Sequence, residues 1–486
     1  MSPPAADRVR RLVESLEGVL GKRWVFHRDE ERLAYSYDAS LARARPDVVC
    51  LPGSTAEVAA AVRAAVREGL PFVARGAGTG IAGGSVPVAG GLVIGLARLN
   101  RILEIDLADR YAVVEPGVVN LTLDQALGQQ GYCYRPDPSS QKVCTLGGNV
   151  ANNSGGPHCL AYGVTANHIL GVEVVLPDGS VTELGARHVD PLGYDLTGVF
   201  VGSEGTMGIA TKVVCRIARS AEGVRTMLAS YARMEDAAAS VSAIIAAGIV
   251  PAALEMMDGP IIRAVEEFIG AGYPVDAAAV LLIEVEGLSE GLDGAVRSIE
   301  SLCKARGARQ VRVAGSEAER QRLWAGRKGA LGAVARLKPR YYLHDGVVPR
   351  TRLLSVLQAI ADAAARHRLT IVNVFHAGDG NLHPLILFDP ADADETHRVH
   401  VAGEEIMRAC VASGGTLSGE HGIGLEKNDM MDWVYSPEDL EAMQRVRSAF
   451  DPEGLANPQK VFPARRGCAE LRADGHGGRP AGEMWI

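Results

Sequence analysis

The sequence predicts an α+β protein built from more than one compact unit. Three observations carry that expectation. The chain has 486 residues, two to three times the length of an ordinary domain. Up to about residue 217, short β-branched runs alternate with alanine-rich helical stretches and glycine-rich loops. From about residue 221 the pattern changes to longer helices alternating with strands, which puts the start of a second unit there.

In chain order, the β-branched run at 47–51 ends in Pro52-Gly53. Ser54 and Glu57, three residues apart, form a capping box before an alanine-rich stretch, so a helix begins near Thr55. Strand character resumes at 70–75, and short strands broken by turn residues follow at 91–96, 101–106 and 111–115. Asn120 is the expected cap of a helix over 121–130. Residues 134–163 are dominated by Pro, Ser, Asn and Gly, so little regular structure is expected there. Strands return at 169–176, before the turn Pro177-Asp178-Gly179, and again near 206–217. In the second unit, helices are expected over 234–247, 294–306, 316–336 and 352–366, with strands at 280–286 and 369–375. The stretch after Pro463 has no periodicity and reads as an extended tail, 464–486, that a partner could order.

Composition excludes several function classes. There are 50 basic and 58 acidic residues, a net charge of −8, so no broad positive field attracts a phosphate backbone and nucleic-acid binding is disfavoured. Hydrophobic residues at 47% and charged residues at 22% belong to a globular chain. The longest apolar window, 241–254, contains Ser242, Gly248 and Pro251 and falls short of the roughly 18–20 residues that span a bilayer, so membrane attachment is expected to be at most peripheral. The first residues lack the apolar core of a signal peptide. Eight cysteines are scattered without a C-x-x-C pair, which argues against a disulfide framework, a zinc ribbon or an iron–sulfur relay and fits a cytoplasmic protein.

Glycine, at 56 residues, departs from the usual ~7%, and the excess gathers in three loops. Arg75-Gly-Ala-Gly-Thr-Gly-Ile-Ala-Gly-Gly84 holds the dinucleotide spacing Gly78, Gly80, Gly83, but Ser85-Val86-Pro87 follows where that site needs a helix to open. A Rossmann NAD site is therefore set aside. Consecutive amides in such a run can instead converge on a diphosphate, although an ordinary tight turn explains this loop equally well when it is taken alone. Residues 144–156 and 202–208 repeat the small-residue character, and three such loops suggest one large cofactor.

On these loops, residues 45–215 resemble the FAD domain of the vanillyl-alcohol oxidase and p-cresol methylhydroxylase superfamily. The whole chain, including Cys468-Ala469-Glu470, resembles the flavoprotein (D) subunits of bacterial glycolate oxidases, among the FAD-linked 2-hydroxy-acid oxidases and dehydrogenases. The resemblance implies a two-part FAD-binding domain of p-cresol methylhydroxylase type, residues 1–220 with 450–463 returning to it, and a ferredoxin-like α/β cap domain, 221–449, for substrate and metal. It implies that Arg75, Gly76, Ala77, Gly78, Thr79, Gly80, Gly83, Gly84 and Ser85 wrap the FAD diphosphate. It implies that Pro136, Thr145, Gly147, Gly148, Asn149, Asn152, Ser154 and Gly155 line flavin and diphosphate, that Tyr162, Gly163, Glu204, Gly205 and Ile209 close the site, and that Asn457 returns to the flavin. Members that link FAD covalently carry a histidine where this loop has Thr79, so FAD is expected to be noncovalent. His158 reads as a turn residue.

The second half carries Phe375-His-Ala-Gly-Asp-Gly-Asn-Leu-His-Pro384 and Gly419-Glu-His-Gly422. Gly378, Gly380 and Pro384 forbid a helix, so a turn must fold His376 and His383 towards each other. With Glu420 they offer two imidazoles and a carboxylate, a donor set suited to zinc or manganese as a Lewis acid. Spacing alone leaves open that these histidines only satisfy backbone groups near turns. The resemblance implies that His376, His383 and Glu420 bind the metal and that His421 is the general base. Arg327, which by itself reads as a surface helix cation, becomes by resemblance the anchor whose planar fork matches a substrate carboxylate. His397 and His400 read as a solvated helix face. A lysine and an asparagine of the 2-hydroxyglutarate branch correspond to Leu343 and Leu385, which implies a short substrate without a distal carboxylate.

Together these imply that glycolate, or alternatively D-lactate, is oxidised by hydride transfer to FAD. Electrons would pass to a second flavin-domain subunit and an iron–sulfur subunit of a glycolate oxidase complex, which could hold the chain against the inner face of the membrane. Two other readings stay open. A metallohydrolase could use His376, His383 and Glu420 without flavin, but leaves three glycine-rich loops unexplained. A flavin-binding subunit without chemistry of its own would not need Arg327 and His421.

Overall fold

The computed structural model describes residues 5–188 and 193–463, so the expected tail lies outside the described part. A helix that the sequence reading did not single out, Ala5–Leu20, opens the fold and buries Leu12 and Leu16 in one core with Val58 and Val62 of the Thr55–Arg67 helix. Ser54 caps that helix as expected, accepting from the Glu57 amide. Strands Val25–Phe26, Val48–Cys50, Leu92–Gly95 and Phe72–Arg75 form a four-stranded sheet in that spatial order. Phe72–Arg75 lies parallel to Leu92–Gly95, and its outer side is taken by the chain's late segment. There the Phe72 amide donates to Leu455 at 2.9 Å and the Asn457 amide to Phe72 at 2.8 Å.

A five-stranded antiparallel sheet follows, in the order Ile102–Asp106, Tyr111–Val114, Ile209–Arg216, Ile169–Val175, Val181–Gly185. Two local expectations need correction here. Val119, not Asn120, occupies the cap of the Asn120–Gly128 helix. The Asn120 side chain is buried and donates to the Pro136 carbonyl at 3.0 Å and to Asn149 Oδ1 at 3.2 Å. Residues 134–163 are also less irregular than expected, because Leu146–Asn152 is a helix. Thr145 caps it by accepting from the Gly148 amide, and Asn153 ends it at φ 52°. That cap, together with Leu146 and Val150 buried in the core beneath, outweighs the poor helix propensity of its glycines.

The second half is a nine-stranded sheet whose central path runs Ala308–Val313, Gly223–Tyr231, Ala279–Gly287, Ala253–Asp258, Thr370–His376. Strand side chains alternate between faces. Leu254, Met256, Leu281 and Ile283 join helices Met234–Ala246, Ser289–Ala305, Leu353–His367 and Ala393–Ala412 on one side. Ala253, Met257, Val280 and Leu282 join helices Gly259–Phe268, Glu317–Lys328 and Ala330–Val334 on the other. The helix expected over 316–336 breaks at Gly329, where a Cβ would stand 2.9 Å from the Ala325 carbonyl oxygen. Among the described residues no helix is long and apolar enough to cross a membrane.

Candidate active site

Strand Phe72–Arg75 runs directly into the first glycine loop, which walls a cavity of about 440 Å³. Among the described residues, no backbone N–H from Gly76 to Ser85 donates to a protein acceptor. A Cβ on Gly76 would overlap Thr145 Oγ1, whereas one on Gly80 would find nothing nearer than 3.8 Å. The loop is thus packed against the second loop on one side and open to the cavity on the other.

The three loops bring most of the expected cofactor residues together. Gly76, Ala77, Gly78, Thr79, Gly80, Gly84 and Ser85 line the cavity, as do Thr145, Gly147, Gly148, Asn149, Asn152, Ser154, Glu204, Gly205 and Ile209. Seven expected residues do not line it, each for a visible reason. Arg75 lies under the loop, with Nη1 3.4 Å from Ser85 Oγ, and a Cβ on Gly78 would overlap its guanidinium. Gly83 faces Leu425 instead, and Gly155 faces Glu420, whose Oε2 would lie 2.8 Å from an added Cβ. Pro136 gives its carbonyl to Asn120. Tyr162 donates to Glu286 under the guanidinium of Arg135, and Gly163 turns the chain beside Asn167 at φ 79°. Asn457 is a clamp: its Nδ2 donates to the carbonyls of Gly84 at 2.8 Å and Glu204 at 2.6 Å, joining the first and third loops.

The opposite wall comes from the nine-stranded sheet. His376 ends its strand, and the turn after it returns through Asn381, its cross-strand partner, to His383. One oxygen, Glu420 Oε1, lies 3.2 Å from His376 Nε2, 3.5 Å from His383 Nε2 and 3.6 Å from His421 Nε2. The ligand atoms of His376, His383 and Glu420 all lie within 4.8 Å of one another. Burial opposes charge on His376, but Glu255 and Glu420 outweigh it and push the ring up to about 10. Burial dominates at His383 and lowers it to about 4. Arg327, His383, Glu420 and His421 line the cavity together with Tyr341 and the apolar Leu331, Leu343 and Val374.

Arg327 is not a surface cation: it is 4% exposed and its Nε and Nη2 donate to Glu255 Oε2 at 2.7 and 2.6 Å. Glu255 and Asp345 are the principal residues that sequence reasoning missed. Asp345 Oδ2 accepts from Ser418 Oγ at 2.6 Å and from the amides of Gly419, Glu420 and His421 at 3.0, 3.2 and 2.9 Å. Lys427 Nζ is 3.3 Å away. Asp345 thereby holds the loop that carries Glu420 and His421. Glu204 holds it from the other side, accepting from Ile423 at 2.7 Å and Gly424 at 2.8 Å. His158 also needs correction. It is no plain turn residue, since Nδ1 is 2.9 Å from Asp137 and Nε2 3.4 Å from Glu284, with the ring stacked on Trp324. Burial works against its charge, but the two carboxylates outweigh it and raise it to about 10. His397 is exposed as expected, whereas His400 is half-buried 5.2 Å from the Tyr342 ring.

Such a wall of unpaired loop amides facing an Arg, His and carboxylate cluster suits an enzyme that holds an anionic cofactor against a proton-transferring site. Residues 46–185 match an FAD binding domain and residues 220–461 the C-terminal domain of FAD linked oxidases. The fold is shared with the solved structure of p-cresol methylhydroxylase with substrate bound, at TM-score 0.81 over 94% of this chain and 97% of that one, with 16% identity. The chain is 44% identical to the glycolate oxidase subunit GlcD of Escherichia coli (strain K12), over 97% of this chain and 94% of the relative. It is 33% identical to the probable mitochondrial D-lactate dehydrogenase of Danio rerio, over 93% and 92%. The chain belongs to the FAD-linked oxidases, in the family of the glycolate oxidase subunit GlcD.

Proposed function

We propose that this protein oxidises glycolate to glyoxylate, with FAD held noncovalently, as the flavin-bearing catalytic subunit of a glycolate oxidase complex. The observation that carries the reading is the single cavity in which unpaired amides of residues 76–85 face Arg327, Glu420 and His421. A diphosphate suits amides that no protein acceptor uses, and Thr79 lacks the imidazole nitrogen through which a histidine at this place links the flavin in some relatives. Two imidazoles and a carboxylate within 4.8 Å suit a divalent ion such as zinc or manganese. When bound, FAD supplies the two-electron acceptor and the ion a Lewis acid.

The chain's own residues do the rest. Arg327 binds the substrate carboxylate through the guanidinium edge that Glu255 leaves free. His421 accepts the hydroxyl proton at Nε2, while its Nδ1 lies 3.7 Å from Asp345 Oδ2, which orients the ring. Leu331, Leu343 and Val374 give the cavity an apolar wall that limits water there and suits a short 2-hydroxy acid. D-lactate is the second reading, favoured by the D-lactate dehydrogenase relative, since that apolar wall can take a methyl group.

Anaerobic bleaching of the purified chain's flavin by a panel of 2-hydroxy acids tests the substrate, with glycolate expected to reduce it fastest. No bleaching by any of them would overturn the reading and favour a subunit without chemistry of its own. Acid precipitation is expected to release the yellow chromophore into the supernatant; colour kept in the pellet would contradict noncovalent binding. Reduced flavin must pass its electrons on, and the sequence has no clustered cysteines for a relay. A second flavin-domain subunit and an iron–sulfur subunit, docked peripherally at the inner face of the membrane, would supply the path. Tagged protein from its native host is then expected to co-elute with them, and a lone chain at full rate with its physiological acceptor would exclude the complex.

A further inference from the structure

We infer that Glu255 is a positioning residue that sets the spacing between the carboxylate anchor Arg327 and the metal-binding imidazole of His376. The inference rests on the roles proposed above for those two residues and goes beyond them. Glu255 is 0% exposed and stands on the central strand Ala253–Asp258, on the face that packs under the Glu317–Lys328 helix. It is the direct cross-strand partner of His376. Its carboxyl group reaches both Arg327 and His376, and Oε2 is shared, since His376 Nδ1 also lies 3.0 Å from it. Oε2 accepts from Arg327 Nε at 2.7 Å and Nη2 at 2.6 Å, and Oε1 lies 2.8 Å from His376 Nδ1.

The consequence is geometric. With Nδ1 engaged, the ring presents Nε2 towards Glu420 Oε1 at 3.2 Å. With Nε and Nη2 engaged, Arg327 keeps Nη1, which among the described residues has no protein partner, and the residue lines the cavity. One rigid carboxyl group therefore grips the rear edges of both functional groups and leaves their front edges to the ligand. A 2-hydroxy acid carries its carboxylate and hydroxyl on neighbouring carbons, so the groups that receive them must keep a short fixed separation. A single carboxyl bridge provides that; two separate supports would let the groups drift apart.

The test uses full-length, FAD-loaded protein with Glu255→Gln and Glu255→Asp, reading zinc affinity by chelator competition and KM for glycolate. Glu255→Gln keeps the side chain's size but presents an amide N–H to Arg327 or His376. It is expected to keep the flavin spectrum, weaken zinc binding about 10- to 100-fold and raise KM. In an Arg327→Ala background the same change is expected to weaken zinc binding as before but to raise KM no further, a pattern that general destabilisation would not produce. Glu255→Asp, one methylene short of spanning both partners, is expected to weaken zinc binding or raise KM although it keeps its charge. If either variant retains FAD with zinc affinity and KM unchanged, the inference is overturned. If neither retains FAD, Glu255 holds the fold and the inference is likewise overturned. Wild-type protein that binds no zinc, together with an unchanged KM in Arg327→Ala, would instead sink the underlying site reading.

Discussion

Around Glu420 Oε1 three imidazoles converge, yet their surroundings assign them different work. His376 is pinned by a second carboxylate, His383 is forced towards neutrality by burial, and His421 stands between the cavity and Asp345. His421→Ala is expected to retain zinc, measured by metal analysis, and to lose about 10²- to 10⁴-fold in turnover; His376→Ala is expected to lose the metal while the flavin spectrum stays. Asp345→Ala removes the oxygen that accepts from the Ser418 hydroxyl, three amides and the Lys427 ammonium, and leaves Lys427 buried without its counter-charge. A loss of about 3–5 kcal/mol in denaturant unfolding is expected. The signal for His376, His383, Glu420 and His421 was readable because glycines flank them and rule out helices. Glu255 and Asp345 were not readable. Glu255 is a lone acid between apolar strand residues and Asp345 a lone acid in a short link between strands, and the partners lie 72 to 121 positions away for Glu255 and 73 to 82 away for most of those on Asp345.

At the scale of elements, the glycine loops were legible because their property is local: a run of residues without side chains leaves amides bare wherever it is placed. The Leu146–Asn152 helix was hidden for a related reason. Its glycines read as loop, and only Thr145's cap and the core beneath make it helical. Gly76→Ala is expected to push that cap aside and release FAD, seen as a rise in free flavin fluorescence, while the nine-stranded half keeps its unfolding transition. Asn457 illustrates the limit of local reading from the other direction. The resemblance placed it at the flavin, but its side chain binds two loop carbonyls behind it. Asn457→Ala is expected to cost about 1–3 kcal/mol and to lower the denaturant midpoint at which flavin leaves.

Across the whole molecule, His158 joins the first half's 136–145 loop, through Asp137, to the nine-stranded sheet through Glu284 and to the Glu317–Lys328 helix through Trp324. Its folded value of about 10 lies above the ordinary 6.5. The stability it contributes is therefore complete below pH 6.5 and lost as pH rises through about 10. Wild-type protein is expected to lose melting temperature over that interval more steeply than His158→Gln, measured by calorimetry with FAD bound; parallel profiles would count against the latch. The change of pattern near residue 221 is legible in the sequence because it is local, whereas contacts like this one depend on how distant stretches meet and leave no mark in either stretch alone.

The clamp at Asn457 also has a place in time. Its partner Gly84 lies 373 positions earlier in the chain, and a ribosome adds about 5–20 residues per second, so roughly 20–75 s separate their synthesis. Throughout that interval strand Phe72–Arg75 lacks the late segment that pairs with its outer side, and the carbonyls of Gly84 and Glu204 lack the amide that joins them. Firm flavin capture is thus expected of the finished polypeptide, once the closing segment around Ala456 has paired with Phe72. A message truncated ahead of codon 455 would leave every amide of the first loop encoded and still yield a colourless product.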